Sequence, residues 1–128
     1  MQRKAFFVVN PHSAHRRTEA VWPEWRRRIQ DVLGTVDYAL TEHHMHAAEL
    51  ARGALSRGYD LVVAVGGDGT VNEVLNGFFS EGMPVRPEAA LGYLPSGTGA
   101  DFARTLGVSD RPVERQAECW RSGRLREG

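Results

Sequence analysis

Hydrophobic positions along the chain follow two periods in turn, one of strands and one of helices. Residues 5–9 (Ala-Phe-Phe-Val-Val) form a continuous apolar run broken by Asn10-Pro11, the pattern of a strand buried on both faces. Trp22, Trp25, Ile29, Val32 and Leu33 then recur at helical spacing up to Gly34, predicting an amphipathic helix with Pro23 in its first turn. Residues 36–40 read as a short second strand. Ala47, Leu50, Ala51, Ala54 and Leu55 make a second helical stripe, closed by Gly58. Residues 61–65 are wholly apolar and rich in β-branched side chains, as the central strand of a parallel sheet should be. Val71, Val74, Leu75, Phe78 and Phe79 give a third helical stripe, and residues 89–94 a fourth strand ending in Pro95-Ser96-Gly97-Thr98. Further helices are expected around Phe102, Ala103 and Leu106, and around Val113, Ala117 and Trp120 with Pro112 in the first turn.

Strands that alternate with helices in this way define an α/β fold, a three-layer doubly wound and mostly parallel sheet with right-handed crossovers. Its ligands are expected in the crevice at the carboxyl ends of the strands. The 128 residues suit one domain. Composition narrows the partners: 16 Lys plus Arg balance 16 Asp plus Glu, so no global charge draws the chain to nucleic acid. The apolar run after Met1-Gln2-Arg3-Lys4 is too short for a signal peptide or a membrane span. Cys119 is the sole cysteine, which leaves no internal disulfide and fits a reducing compartment. A cytoplasmic protein with no more than peripheral membrane contact is expected, its oligomeric state open and a homodimer included.

The candidate chemistry lies in three loops at the strand ends. Gly66-Gly67-Asp68-Gly69-Thr70 joins the central strand to a helix, where unpaired N–H groups and the positive end of the helix dipole favour an anion. Glycines let the backbone approach phosphate oxygens closely. Asp68 beside phosphate would be repulsive unless a cation intervenes, which argues for Mg²⁺ with water or for a ribose hydroxyl, the former being preferred. Thr70 and Glu73 fit a capping box, a structural role that competes with a catalytic one for Glu73. The loop is neither a GxxxxGK[ST] phosphate loop nor a GxGxxG dinucleotide fingerprint. Asn10-Pro11-His12-Ser13-Ala14 supplies a turn, a hydroxyl and backbone donors at the end of the first strand. In the third loop, Thr98 is placed to cap a helix with Asp101 at the capping-box position.

Together these loops resemble the diacylglycerol kinase catalytic domain, shared with bacterial lipid kinases and sphingosine kinases and more distantly similar to NAD kinases and phosphofructokinases. The resemblance spans nearly the whole chain. It implies ATP contacts from Asn10, Pro11, His12, Ser13 and Ala14, from Thr41 after the second strand, from Gly66, Gly67, Asp68, Gly69, Thr70, Val71, Asn72 and Glu73, and from Thr98. It further implies that Asp68 and Asp101 are catalytic and hold Mg²⁺ with water. Arg104 would meet phosphate or a lipid headgroup, or serve as a surface ion-pair partner. Two departures stand out: Ala14 replaces the usual glycine and stiffens its loop, and Ala100 replaces the asparagine of the family's GTxNDFAR pattern, removing one polar contact.

No good general base for a hydroxyl acceptor is evident in the chain. The resemblance implies that this base, the acceptor-lipid pocket and further metal ligands belong to a β-rich second domain following this one, so that the chain is expected to bind nucleotide and turn over little alone. The function expected is ATP binding for transfer of the γ-phosphoryl group to a lipid hydroxyl such as that of diacylglycerol. NAD kinase and a non-catalytic nucleotide-binding module are the alternatives. His43, His44 and His46 read as solvated loop histidines with no metal assigned. Arg26, Arg27 and Arg28, each about 100° apart on a helix, read as a solvated face rather than a cationic stripe, and Trp22 and Trp25 as core.

Overall fold

A computed structural model of the chain describes residues 4–34 and 36–95. Four parallel strands form the sheet: β1 (Ala5–Val9), β2 (Asp37–Leu40), β3 (Leu61–Gly66) and β6 (Ala90–Pro95), in the order β2-β1-β3-β6. Helices α1 (Ser13–Leu33), α2 (His46–Ser56) and α3 (Asp68–Gly77) connect and flank them, and a small antiparallel hairpin, β4 (Phe79–Ser80) with β5 (Met83–Pro84), precedes β6.

The apolar runs explain the layering. Phe7 and Val9 of β1 with Val63 and Val65 of β3 face Trp22 and Ile29 of α1, whereas Phe6, Val8, Val62 and Ala64 face Ala47, Ala51, Ala54 and Leu55 of α2 and Val74 of α3. Strands covered on both faces can dispense with polar alternation. The winding follows from the order: the chain steps outward from β1 to β2, then back across β1 to β3. With one crossover handedness, that reversal puts α1 and α2 on opposite faces. The reversal also leaves a switch point between the carboxyl ends of β1 and β3.

The doubly wound expectation is thus borne out, with differences in the elements. α1 begins nine residues before Trp22, so Pro23 lies well inside it and not in the first turn. The buried position that extends the stripe backward is Thr18, four residues before Trp22 and invisible to an apolar count. Trp22 is core and Trp25 packs at its margin. The three arginines diverge as expected: Arg26 donates to Gln30 and to the Tyr38 hydroxyl, while Arg27 and Arg28 lie near Glu24. α3 stops at Gly77, and Phe79 belongs to the hairpin rather than to the helical stripe. Glu81 and Gly82 both take positive φ there (53° and 80°), the twist that a two-residue hairpin turn requires. The expected helices after residue 100 lie outside the described residues.

α2 and α3 meet closely at Gly77. A Cβ there would stand 2.8 Å from the Ala51 Cβ and closer still to the Ala48 carbonyl oxygen, which belongs to backbone and cannot swing aside. Arg52 fastens the same junction, donating to the carbonyls of Asn76 and Phe79 at the end of α3. Gly77→Ala should therefore destabilise the fold by about 1–3 kcal/mol as α3 is pushed off α2. Denaturant unfolding of the variant against the parent checks this, and an unchanged midpoint would refute the close approach.

Candidate functional site

At the switch point, Asn10 joins three elements. Its backbone N–H donates to the Val65 carbonyl (3.0 Å), continuing the β1–β3 ladder by one residue. Its side chain accepts from the His12 N–H (3.0 Å), closing a turn. Because an amide N–H can only donate, the atom facing His12 is the Asn10 oxygen, which directs the nitrogen outward. That Nδ2 donates to Thr70 Oγ1 in the first turn of α3 (3.2 Å). Ser13 Oγ stands 3.5 Å from the same Thr70 oxygen. The first and second expected loops are therefore bound together through side chains 57 and 60 residues apart.

Gly66 makes this convergence possible. It takes φ +155°, and a Cβ on it would lie 2.7 Å from both Ser13 Oγ and Thr70 Oγ1. At Gly67 and Gly69, by contrast, an added Cβ would meet nothing within 4 Å, so open space adjoins both peptides. α3 starts with Gly67 as its N-cap and carries no side-chain cap, so the Asp68 and Gly69 N–H groups at its start have no capping side chain, while the Thr70 N–H donates to the Gly67 carbonyl (3.1 Å). The expected capping box is not formed: Thr70 is the third residue of the helix, and its hydroxyl serves Asn10 and Ser13 instead. Glu73 lies a turn further on, 3.7 Å from His44 Nδ1.

Asp68 opens α3, exposed at the positive end of the helix dipole. It accepts from the Tyr93 hydroxyl at 3.3 Å. Tyr93 lies on β6, whose Pro95 is level with Gly66, so the end of the fourth strand borders the glycine loop. Burial, then the Asp68 negative charge and its hydrogen bond, push the Tyr93 hydroxyl above its ordinary value of 10.0. This contact was not foreseen; a tyrosine two residues before Pro95, on a strand beside the glycine strand, was its only sequence signal.

A cavity of about 290 Å³ opens beside these loops, lined by Asn10, His12, Thr41, Glu42, His43, His44, Ala47 and Glu73. Thr41 reaches it because its N–H donates to the Val9 carbonyl (2.8 Å). Of the expected site residues, Asn10, Ser13, Gly66 and Thr70 are in contact with one another, His12, Thr41 and Glu73 line the cavity, and Asp68 stands at the β6 side. Pro11 is buried in the turn, and Ala14 falls in the first turn of α1. Val71 and Asn72 continue α3. Thr98, Asp101 and Arg104, with Ala100, lie outside the described residues.

A doubly wound α/β domain with a glycine-rich strand edge at its switch point is what the fold and these loops define. The family model for the diacylglycerol kinase catalytic domain matches residues 4–128. Two curated relatives described as diacylglycerol kinase are 32% identical over 91% of this chain (Bacillus subtilis) and 36% identical over 83% of it (Staphylococcus haemolyticus). A crystal structure of a diacylglycerol kinase from Bacillus anthracis superposes with a TM-score of 0.62 at 27% identity over 91% of this chain. The chain belongs to the diacylglycerol kinase catalytic domain family. It spans 37% and 31% of the two curated relatives, and 40% of the Bacillus anthracis chain.

The Tyr93–Asp68 contact carries a pH signature. A tyrosine whose folded value is raised contributes its stabilisation fully below pH 10, and loses it as pH rises through the folded value. Replacing Asp68 by Ala should lower the Tyr93 value only part of the way, since burial, the largest single cause, remains. Phenolate absorbance titrations of the parent and Asp68→Ala, each against its Tyr93→Phe counterpart, isolate the signal. An identical Tyr93 titration with and without Asp68 would discount the contact.

Proposed function

We propose that this chain supplies the ATP-binding half of a lipid kinase that transfers the γ-phosphoryl group of ATP to the hydroxyl of a lipid such as diacylglycerol. The observation that carries this reading is the convergence of Asn10, Ser13 and Thr70 around Gly66, with open space at Gly67 and Gly69. Phosphate oxygens accept from the first-turn N–H groups of α3, with the helix dipole adding attraction. The nucleoside extends into the cavity lined by Thr41 and Asn10.

The donor set also suits Mg²⁺. An exposed carboxylate beside a phosphate site favours a hard cation with oxygen ligands and water, and Asp68, with Asp101 from the third loop, would hold it. When bound, the cation offsets the charge of the transferring phosphoryl group. Tyr93 holds Asp68 in place as a neutral donor, leaving the carboxylate its charge. Positioning and charge stabilisation dominate phosphoryl transfer, so a half-site that orients the phosphates has a defined task without a general base of its own. The acceptor-lipid pocket and the base are assigned to the part of the relatives' length that this chain does not span, and the lipid reaches the site by peripheral contact.

ATP titration of the chain with and without Mg²⁺ tests the site. Binding should tighten with Mg²⁺, and Asp68→Ala should weaken binding in Mg²⁺ about tenfold, equivalent to about 1.4 kcal/mol, while changing it little without the cation. Equal affinities for parent and variant in Mg²⁺ would remove Asp68 from the role. The chain alone should phosphorylate diacylglycerol far below the roughly 1 per second at which kinases begin. Turnover at that rate would refute the division of labour.

A further inference from the structure

The β2–α2 loop contains chemistry that the ATP reading leaves unused. We propose that His43, His46 and Glu49 form a binding site for a transition-metal cation of the Zn²⁺ type. This site is independent of the nucleotide assignment. The three residues are spaced by three, His-x-x-His-x-x-Glu, and the local fold converts that spacing into one cluster. His46 and Glu49 occupy the first turn of α2, three apart and hence on one face. Met45, in the left-handed region at φ 65°, turns the chain just before them. The His46 N–H donates to the His43 carbonyl (3.1 Å), which folds His43 back over the helix start. One ligand atom from each side chain then lies within 4.8 Å of the other two.

The His43 imidazole is held in a way that suits a metal. His43 Nδ1 lies 3.0 Å from the His44 carbonyl oxygen. A carbonyl can only accept, so Nδ1 carries the proton and Nε2 presents its lone pair, as in metal-ligating histidines oriented by a backbone carbonyl. The His43 and His46 rings lie face to face, 4.4 Å apart and 18° from parallel, so one of them turns for both in-plane lone pairs to meet one ion. His46 Nδ1 accepts from the Glu42 N–H (2.9 Å), so binding exchanges this one exposed hydrogen bond for a metal–nitrogen bond. Ligand distances of about 2.0–2.2 Å require the three side chains to draw inward. His43 and Glu49 are exposed, with room to do so.

Two imidazoles and one carboxylate select Zn²⁺, Co²⁺ or Ni²⁺ over Mg²⁺, which prefers oxygen ligands only. His44 stays outside the set, beside Glu73. Three protein ligands leave a tetrahedral position for water. Because His43 also lines the cavity beside Thr41 and Asn10, the bound cation would fix that wall of it.

Co²⁺ is the probe, because its visible absorption reports imidazole coordination while Mg²⁺ stays silent. One equivalent should bind to the chain with tetrahedral-type bands, be displaced by Zn²⁺ and persist in excess Mg²⁺. His43→Gln, an exposed substitution that spares the helix, should weaken Co²⁺ binding by at least the roughly tenfold that losing even an outer partner of a metal ligand costs. Glu49→Gln should do the same, while Asp68→Ala should leave the spectrum unchanged. The proposal is overturned if His43→Gln and Glu49→Gln bind as the parent does. It is equally overturned if the parent shows no tetrahedral bands, or if Asp68→Ala abolishes them.

Discussion

Everything in this domain depends on two adjacent strands being buried on both faces. β1 and β3 present alternate side chains to α1 on one side and to α2 and α3 on the other, and residues 6–9 and 61–66 are all buried. Each fully buried Val, Leu or Phe contributes roughly 1.5–3 kcal/mol, so the register of this pair is held far more strongly than any loop contact could hold it. Loops therefore adapt to the strands. The first polar residue beyond β1 emerges beside the end of β3, Asn10 hydrogen-bonded to Val65, and the polar contacts of the site begin where the apolar runs end.

At that edge the constraint becomes polar. A buried or half-buried hydroxyl or amide has to find a partner, and Asn10, Ser13 and Thr70 supply one another. The N-cap of α3 is Gly67, which has no side chain to cap the helix, so the Asp68 and Gly69 N–H groups gain no partner from it. Gly66 is the small residue that permits the approach. The site is thus a consequence of which donors the core geometry uses and which it leaves over.

The elements whose pattern is set by the core were legible in the sequence. β1, β3 and β6 read directly as apolar runs, and α2 as a stripe of small residues, because burial and periodicity are the same fact seen twice. Where a polar or special residue stands in for an apolar one, the reading fell short. Thr18 hid the start of α1, and Pro23 suggested a first turn where the helix was already under way. Phe79 continued the α3 stripe in register although Gly77 and the Glu81–Gly82 turn end the helix before it. The glycine loop was legible as a tight strand-to-helix connection at the sheet edge, but the Thr70–Glu73 spacing suggested a capping box that the long-range Asn10 contact displaces. No local pattern carries a bond across 60 residues.

Asp68 shows why the strand order matters to the chemistry as well as to the fold. A carboxylate at a helix N-terminus is favourable to the helix, yet it faces the phosphates that the same N-terminus would attract. The neighbour that the structure provides for this carboxylate is neutral. β6 lies at the edge beside β3 rather than beyond β2, and so Tyr93 comes within hydrogen-bonding distance of Asp68. A lysine or arginine there would neutralise the carboxylate and compete with a metal for it, whereas a phenol orients it and leaves the charge intact. Placing β6 next to the glycine strand therefore gives the loop a carboxylate held by a neutral donor, the arrangement that the proposed cation site calls for.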